Sequence, residues 1–88
     1  MQPWKVVLDE DAFHFFLGRR PQERHRLLKI FNQLRNDPYQ KSSYSAKDPT
    51  GRDLSVSVAE PFLITFWLDA AVSEVRIVNV QKVKLPTS

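Results

Sequence analysis

The sequence has no cysteine, which rules out both a disulfide framework and a thiolate metal site. Its two histidines, His14 and His25, are eleven positions apart and make no zinc-ligand spacing, so no metal and no cofactor are expected. There is no Gly-rich phosphate loop, no nucleophile elbow and no HExxH motif, which argues against the common metabolic enzyme classes. No apolar run approaches the roughly 18 residues of a membrane span. The opening MQPWKVVLDED has one Lys, a short apolar stretch broken by acids and no small-residue cleavage site, so a cytoplasmic protein without signal peptide or membrane contact is expected. Internal repeats and low-complexity segments are also missing.

What is present suits one small globular domain over residues 1–88. The chain is 42% hydrophobic and 11% aromatic, and it is too short for two cores. A domain of this size buries only about 60–65% of its unfolded surface, so the aromatic residues carry much of the stabilisation. The net charge of +3 permits an anionic partner without demanding one.

The hydrophobic periodicity predicts the elements. Residues 3–8 (PWKVVL) read as a strand, followed by Asp9 as N-cap of a helix with Glu10 and Asp11 in its first turn and Phe13, Phe16 and Leu17 as its buried stripe. Gly18 stops that helix and Pro21 suits the first turn of a second. At about 100° per residue, Leu27, Leu28, Ile30, Phe31 and Leu34 share one arc of the second helix. His25, Arg26, Lys29, Asn32, Gln33 and Asn36 share the opposite one, giving a basic outer face. Asn36-Asp37-Pro38 ends the helix, and Tyr39 to Thr50 reads as a loop or at most an edge strand.

From Asp53 the period changes to two. Leu54, Val56 and Val58 alternate with Asp53, Ser55 and Ser57; after a turn at Glu60-Pro61, Phe62, Ile64, Phe66 and Leu68 alternate with Leu63, Thr65, Trp67 and Asp69. A last strand runs from Glu74 to Gln81, where Val75/Ile77 and Val78/Val80 are out of phase unless a bulge intervenes. The predicted architecture is α+β, in the order β-α-α-β-β-β. Two helices pack on one face of a mostly antiparallel four-stranded sheet, and the other face is left partly polar.

The residues that can carry chemistry lie near the start of this sheet: Lys41 and Lys47 in the loop, Arg52 at the strand entrance, and Lys82 and Lys84 past the last strand, with Tyr39, Tyr44 and Trp67 among them. Cations neutralise phosphates and exposed aromatics stack on unpaired bases, so this combination suits single-stranded RNA. The same residues also read as solvated loop lysines and a core-capping tyrosine. Gly51-Arg52 reads either as a positive-φ turn followed by an Arg paired with Asp48 or Asp53, or as a phosphate contact. Trp67 points away from the helices, as a partner-binding anchor or a base-stacking platform.

With its helix-2 ending LRNDP (Leu34 to Pro38), DPTGR (Asp48 to Arg52), FLITFWLD (Phe62 to Asp69) and EVRIVNVQKV (Glu74 to Val83), the chain resembles the RelE/ParE toxin family of bacterial type II toxin–antitoxin modules over nearly its whole length. The resemblance implies a small toxin held inactive by an antitoxin protein, acting either as an endoribonuclease that inhibits translation by cutting mRNA in the ribosomal A site, or as a DNA gyrase poison. Metal-independent RNA cleavage needs cations, an acid and a base around the 2′-hydroxyl and its phosphate. Carried onto this sequence, the catalytic candidates are Arg52, Lys47 and Lys82. Lys41, Tyr44, Arg76 and Lys84 are RNA-binding candidates, and Trp67 with Thr65 is the candidate antitoxin contact. Active members commonly carry an Arg near the start of the penultimate strand, where this chain has Leu63, and a Tyr or His near the C-terminus, where it reads QKVKLPTS. That departure leaves open a second expectation, a gyrase poison or a toxin-like protein that only binds its antitoxin. A third is an unrelated RNA-binding α+β domain.

Overall fold

A computed structural model describes residues 3–39 and 44–83. Strand β1 (Lys5–Leu8) leads into helices α1 (Glu10–Leu17) and α2 (Pro21–Asn36), then strands β2 (Tyr44–Lys47), β3 (Asp53–Ala59), β4 (Phe62–Asp69) and β5 (Glu74–Lys82). One five-stranded sheet results, in the order β1-β5-β4-β3-β2. The three-strand meander is present as expected, and β1 closes the other side by pairing parallel to β5. The sheet therefore has five strands where four were predicted, because the polar segment YSAK pairs along β3 as an edge strand. All four of its residues are exposed, so no apolar alternation marks it in the sequence.

The helices cover one face. Leu27, Ile30, Phe31 and Leu34 of α2 and Ala12 of α1 pack on Phe62, Ile64, Phe66, Val75, Ile77 and Val80. The predicted stripe of α1 is corrected here: Phe13 and Leu17 are exposed, while Ala12 is buried and Phe15 and Phe16 pack against the core. With only two turns, α1 presents a narrow face, and the Phe15 and Phe16 rings reach the core from its flank, Phe15 edge-on to Phe62 and Phe16 tilted against Phe31. Leu28 also leaves the predicted arc and is exposed.

Pro21 occupies the first turn of α2, where no backbone donor is lost, and Gly18 caps α1, donating its N–H to His14 O. Asp9 stands at the N-cap position of α1 without a side-chain capping hydrogen bond; its carboxylate is turned to Arg76 instead. The ambiguous phase of β5 is resolved by a bulge. A register shift between Thr65 and Phe66 lets Val75 and Ile77 on one side of it, and Val80 on the other, all reach the core.

Candidate functional site on the open sheet face

Cross-strand register fixes what the helix-free face carries. Thr65 pairs with Val56 and Asn79, Leu63 with Val58 and Gln81, and Trp67 with Arg76, while the alternate residues Phe62, Ile64 and Phe66 point into the core. On β3 it is therefore Ser55, Ser57 and Ala59 that share the helix side, and the Leu54/Val56/Val58 phase lies on the open face. Leu54 and Val56 are nearly buried there, outside the core beneath the helices. Tyr44 pairs with Val56 and stands on the same face, exposed at the sheet edge.

Two arginines converge on Trp67. The Arg52 guanidinium carbon lies 4.0 Å from the indole centroid and that of Arg76 lies 5.8 Å from it. A cation at these distances is attracted by the negative face of the ring. The two cations are held differently. Arg76 donates to Glu74 Oε1 at 3.0 Å and to Asp9 Oδ1 at 3.4 Å, and its side chain is one-third exposed. Two carboxylates thus offset its charge and fix its direction. Arg52 has no carboxylate within ion-pair distance among the described residues, so the charge over Trp67 is available to an anion.

The stretch DPTGR explains how Arg52 gets there. The Asp48 carboxylate accepts hydrogen bonds from Thr50 N, Thr50 Oγ1 and Arg52 N at 2.9, 2.6 and 2.8 Å. Gly51 N–H donates to Asp48 O and Asp48 N–H to Arg52 O, closing the five-residue connection, 48–52, between β2 and β3. Pro49 occupies the second position of that turn, where its fixed φ is pre-set. Gly51 has φ +86°, and a Cβ there would meet nothing within 4 Å, so the position needs glycine for its backbone angle and not for space. The hydrogen bonds from Thr50, then that from the Arg52 backbone, hold the Asp48 carboxyl below the usual carboxylate range. Of the two sequence readings of Gly51-Arg52, the positive-φ turn is present, but the Arg52 side chain pairs with neither Asp48 nor Asp53. It lies on Trp67.

The other candidates disperse. Lys47 binds Asp53 at 2.7 Å, opposite it in register, and this hydrogen bond raises its amine above the usual lysine range. Lys82 is corrected as a member of the same cluster: it pairs with Phe62 in register, faces the helix layer and meets Glu23 of α2 at 2.8 Å. The register shift in β5 causes this, because it carries Val80 and Lys82 into the phase of Val75 and Ile77 and away from that of Arg76. The hydrogen bond from Lys82 holds the Glu23 carboxyl below its ordinary range. Lys41 and Lys84 lie outside the described residues. Tyr39 stacks edge-on against Trp4, with centroids 5.7 Å apart, at the far side of the sheet from Trp67. The sequence reasoning missed Asp9 and Glu74. The signal was there in part: Glu74 and Arg76 are two apart on one strand and so share a face, whereas Asp9 reaches Arg76 only through the parallel β1–β5 pairing.

No protein-family model matches the sequence, and no curated protein is significantly similar to it. Solved structures do match its fold. The toxin–antitoxin complex RelBE2 of Mycobacterium tuberculosis superposes with a TM-score of 0.73 at 14% identity, covering 92% of this chain and 99% of that one. The RelE–RelB complex of the archaeon Pyrococcus horikoshii OT3 gives 0.71 at 10% identity, covering 92% and 96%. A mutant of the E. coli toxin RelE in the free state gives 0.70 at 14% identity, covering 92% and 84%. With two helices against one sheet and 84% or more of each of the three chains covered, this chain has the RelE fold.

Proposed function

We propose that the protein is the toxin component of a toxin–antitoxin module and that it acts on RNA in the cytoplasm, through the open sheet face, by cutting mRNA on the ribosome. The observation that carries this reading is the convergence of Arg52 and Arg76 on Trp67. An indole offers a base a stacking surface, and Arg52 offers the adjoining phosphate a positive charge that no carboxylate among the described residues holds in an ion pair. Tyr44 adds a second exposed ring on the same face. In this reading the 2′-oxygen bonds to phosphorus as the P–O5′ bond breaks, and water takes the 2′-hydroxyl proton and protonates the leaving 5′-oxygen. Arg52 stabilises the charge that builds on the non-bridging phosphate oxygens, and Arg76, oriented by Glu74 and Asp9, positions the strand. The fold shared with the RelE–RelB complexes supports a partner antitoxin; in this reading the antitoxin covers part of the open face, with Trp67 and Thr65 among its contacts.

A second reading, a binding toxin without nuclease activity directed at DNA gyrase or only at its antitoxin, is favoured by two observations. Leu63 is the open-face residue where the resemblance implies an Arg, and Lys82 is committed to Glu23.

One experiment separates them. The purified protein is added to ribosomes programmed with mRNA and the 5′ ends are mapped. New ends in the A-site codon, lost in Arg52→Ala, support the nuclease. Intact mRNA together with inhibited gyrase supercoiling overturns it in favour of the second.

A further inference from the structure

The positive charge of the chain is concentrated on the side of the molecule that the open-face site does not use. Between residues 19 and 36 stand six cations, Arg19, Arg20, Arg24, Arg26, Lys29 and Arg35, and one acid, Glu23, a balance of +5 within a chain of net +3. The remaining residues carry seven cations and nine acids and are net negative.

Among the described residues the other cations divide: Lys5 and Arg52 have no carboxylate within ion-pair distance either, while three are paired. Lys47, Arg76 and Lys82 each have a carboxylate partner. None of the six does. Arg19 donates to Phe15 O, Arg24 to Arg19 O, Arg26 to Glu60 O and Arg35 to Asn32 Oδ1, all uncharged acceptors. These bonds orient the guanidinium groups without neutralising them, and Lys82, helped among the six side chains only by that of Arg19, holds the Glu23 carboxyl below its ordinary range. The single acid, Glu23, is occupied by Lys82.

We infer that the exposed surface of α2, from the outer arc of Arg26 and Lys29 round to Arg24 and Arg35 on its flank, together with the joint that precedes it, is a docking surface for the phosphodiester backbone of folded RNA. The inference rests on the RNA reading above and adds a second surface, separated from Arg52 and Trp67 by the helix layer and the sheet. At 1.5 Å per residue the sixteen residues of α2 extend about 24 Å, long enough to follow several phosphates. Its exposed residues include Asn32, Gln33 and Asn36, whose amides donate to phosphate and sugar oxygens as readily as arginine does. An acidic peptide would need apolar anchors, and Leu28 is the one exposed large apolar residue of the helix. A polar, cationic face of this kind gives binding that is insensitive to sequence and steeply dependent on salt.

The test uses the whole chain and a labelled RNA hairpin, with affinity followed by fluorescence anisotropy across ionic strength. The triple variant Arg20→Gln/Lys29→Gln/Arg35→Gln removes three cations whose side chains make no bond to the core. It is expected to weaken hairpin binding by about tenfold or more, to lower the salt slope by about 2, and to melt like the parent. Hairpin binding that survives Arg52→Ala and falls in the triple variant supports the α2 surface even where no mRNA cleavage is found. Cleavage lost in Arg52→Ala, with hairpin binding and slope untouched by the triple variant, overturns the α2 surface and leaves the open-face reading standing. Tighter binding of polyglutamate, of anionic vesicles or of a DNA duplex of the same sequence than of the hairpin also overturns it.

Discussion

The Arg52 guanidinium carbon lies 4.0 Å from the centroid of the Trp67 ring, across the open face of the sheet. A cation–π contact at an exposed site contributes about 0.5–1 kcal/mol, so its main role is to place the charge. Arg52→Ala is expected to leave the thermal midpoint within a few degrees of the parent, shift the fluorescence of Trp67 and relieve growth inhibition in cells. Full toxicity in a folded Arg52→Ala protein would remove Arg52 from the site.

Because Arg52 covers the indole, a base that stacks on Trp67 must displace it or stack beside it. Trp67→Ala is expected to weaken single-stranded RNA binding by about 1–3 kcal/mol, and Trp67→Phe by less, since a smaller ring keeps part of the stacking surface. Titrations of a short oligonucleotide measure this directly. Equal affinity of the Ala and Phe variants would show that the ring does not stack.

The turn that positions Arg52 is pH-dependent. Asp48 has its folded pKa below its unfolded value, so the stability it contributes is complete above the ordinary carboxylate range. It is lost as pH falls through the folded value. In Asp48→Asn this acid-side loss should be absent, with a lower midpoint at neutral pH than the parent. Thermal melts from pH 7 down to about pH 3 check the sign. Gly51→Ala should destabilise at every pH by about 1–2 kcal/mol, because alanine at φ +86° is strained.

Core and surface leucines and phenylalanines separate what periodicity suggests from what packing decides. Phe62→Ala, at a fully buried position, is expected to cost about 3–5 kcal/mol. Leu28→Ala, although Leu28 falls in the apolar arc of α2, should stay within about 0.5 kcal/mol because its side chain is exposed. Denaturant unfolding of the two variants gives the comparison.

Several elements were legible in the residues. The alternation of Phe62, Ile64 and Phe66 against Leu63, Thr65 and Trp67 set β4 and the outward direction of Trp67, while the two phases in EVRIVNVQK left the facing of β5 open and the bulge decided it. Strand β2 was legible only as an edge, since four exposed residues carry no pattern. The burial of α1 was misread because Phe13 and Leu17 satisfy the helical period as well as Ala12 and Phe16 do, and only the position of the sheet chooses between them. Lys82 was misplaced for the complementary reason: one bulge residue reverses the face of everything after it.

Local chemistry follows from neighbouring residues alone. Asp48, Pro49 and Gly51 build their turn from hydrogen bonds and backbone angles within five residues, and Pro21 and Gly18 place the helix joint. What brings Arg52, Trp67 and Arg76 together, and binds Asp9 to Arg76 across 67 positions, is decided only by strand register and by the parallel closure of β1 on β5. Those pairings depend on burial of both layers at once, a property of the whole sheet that no short window of residues contains.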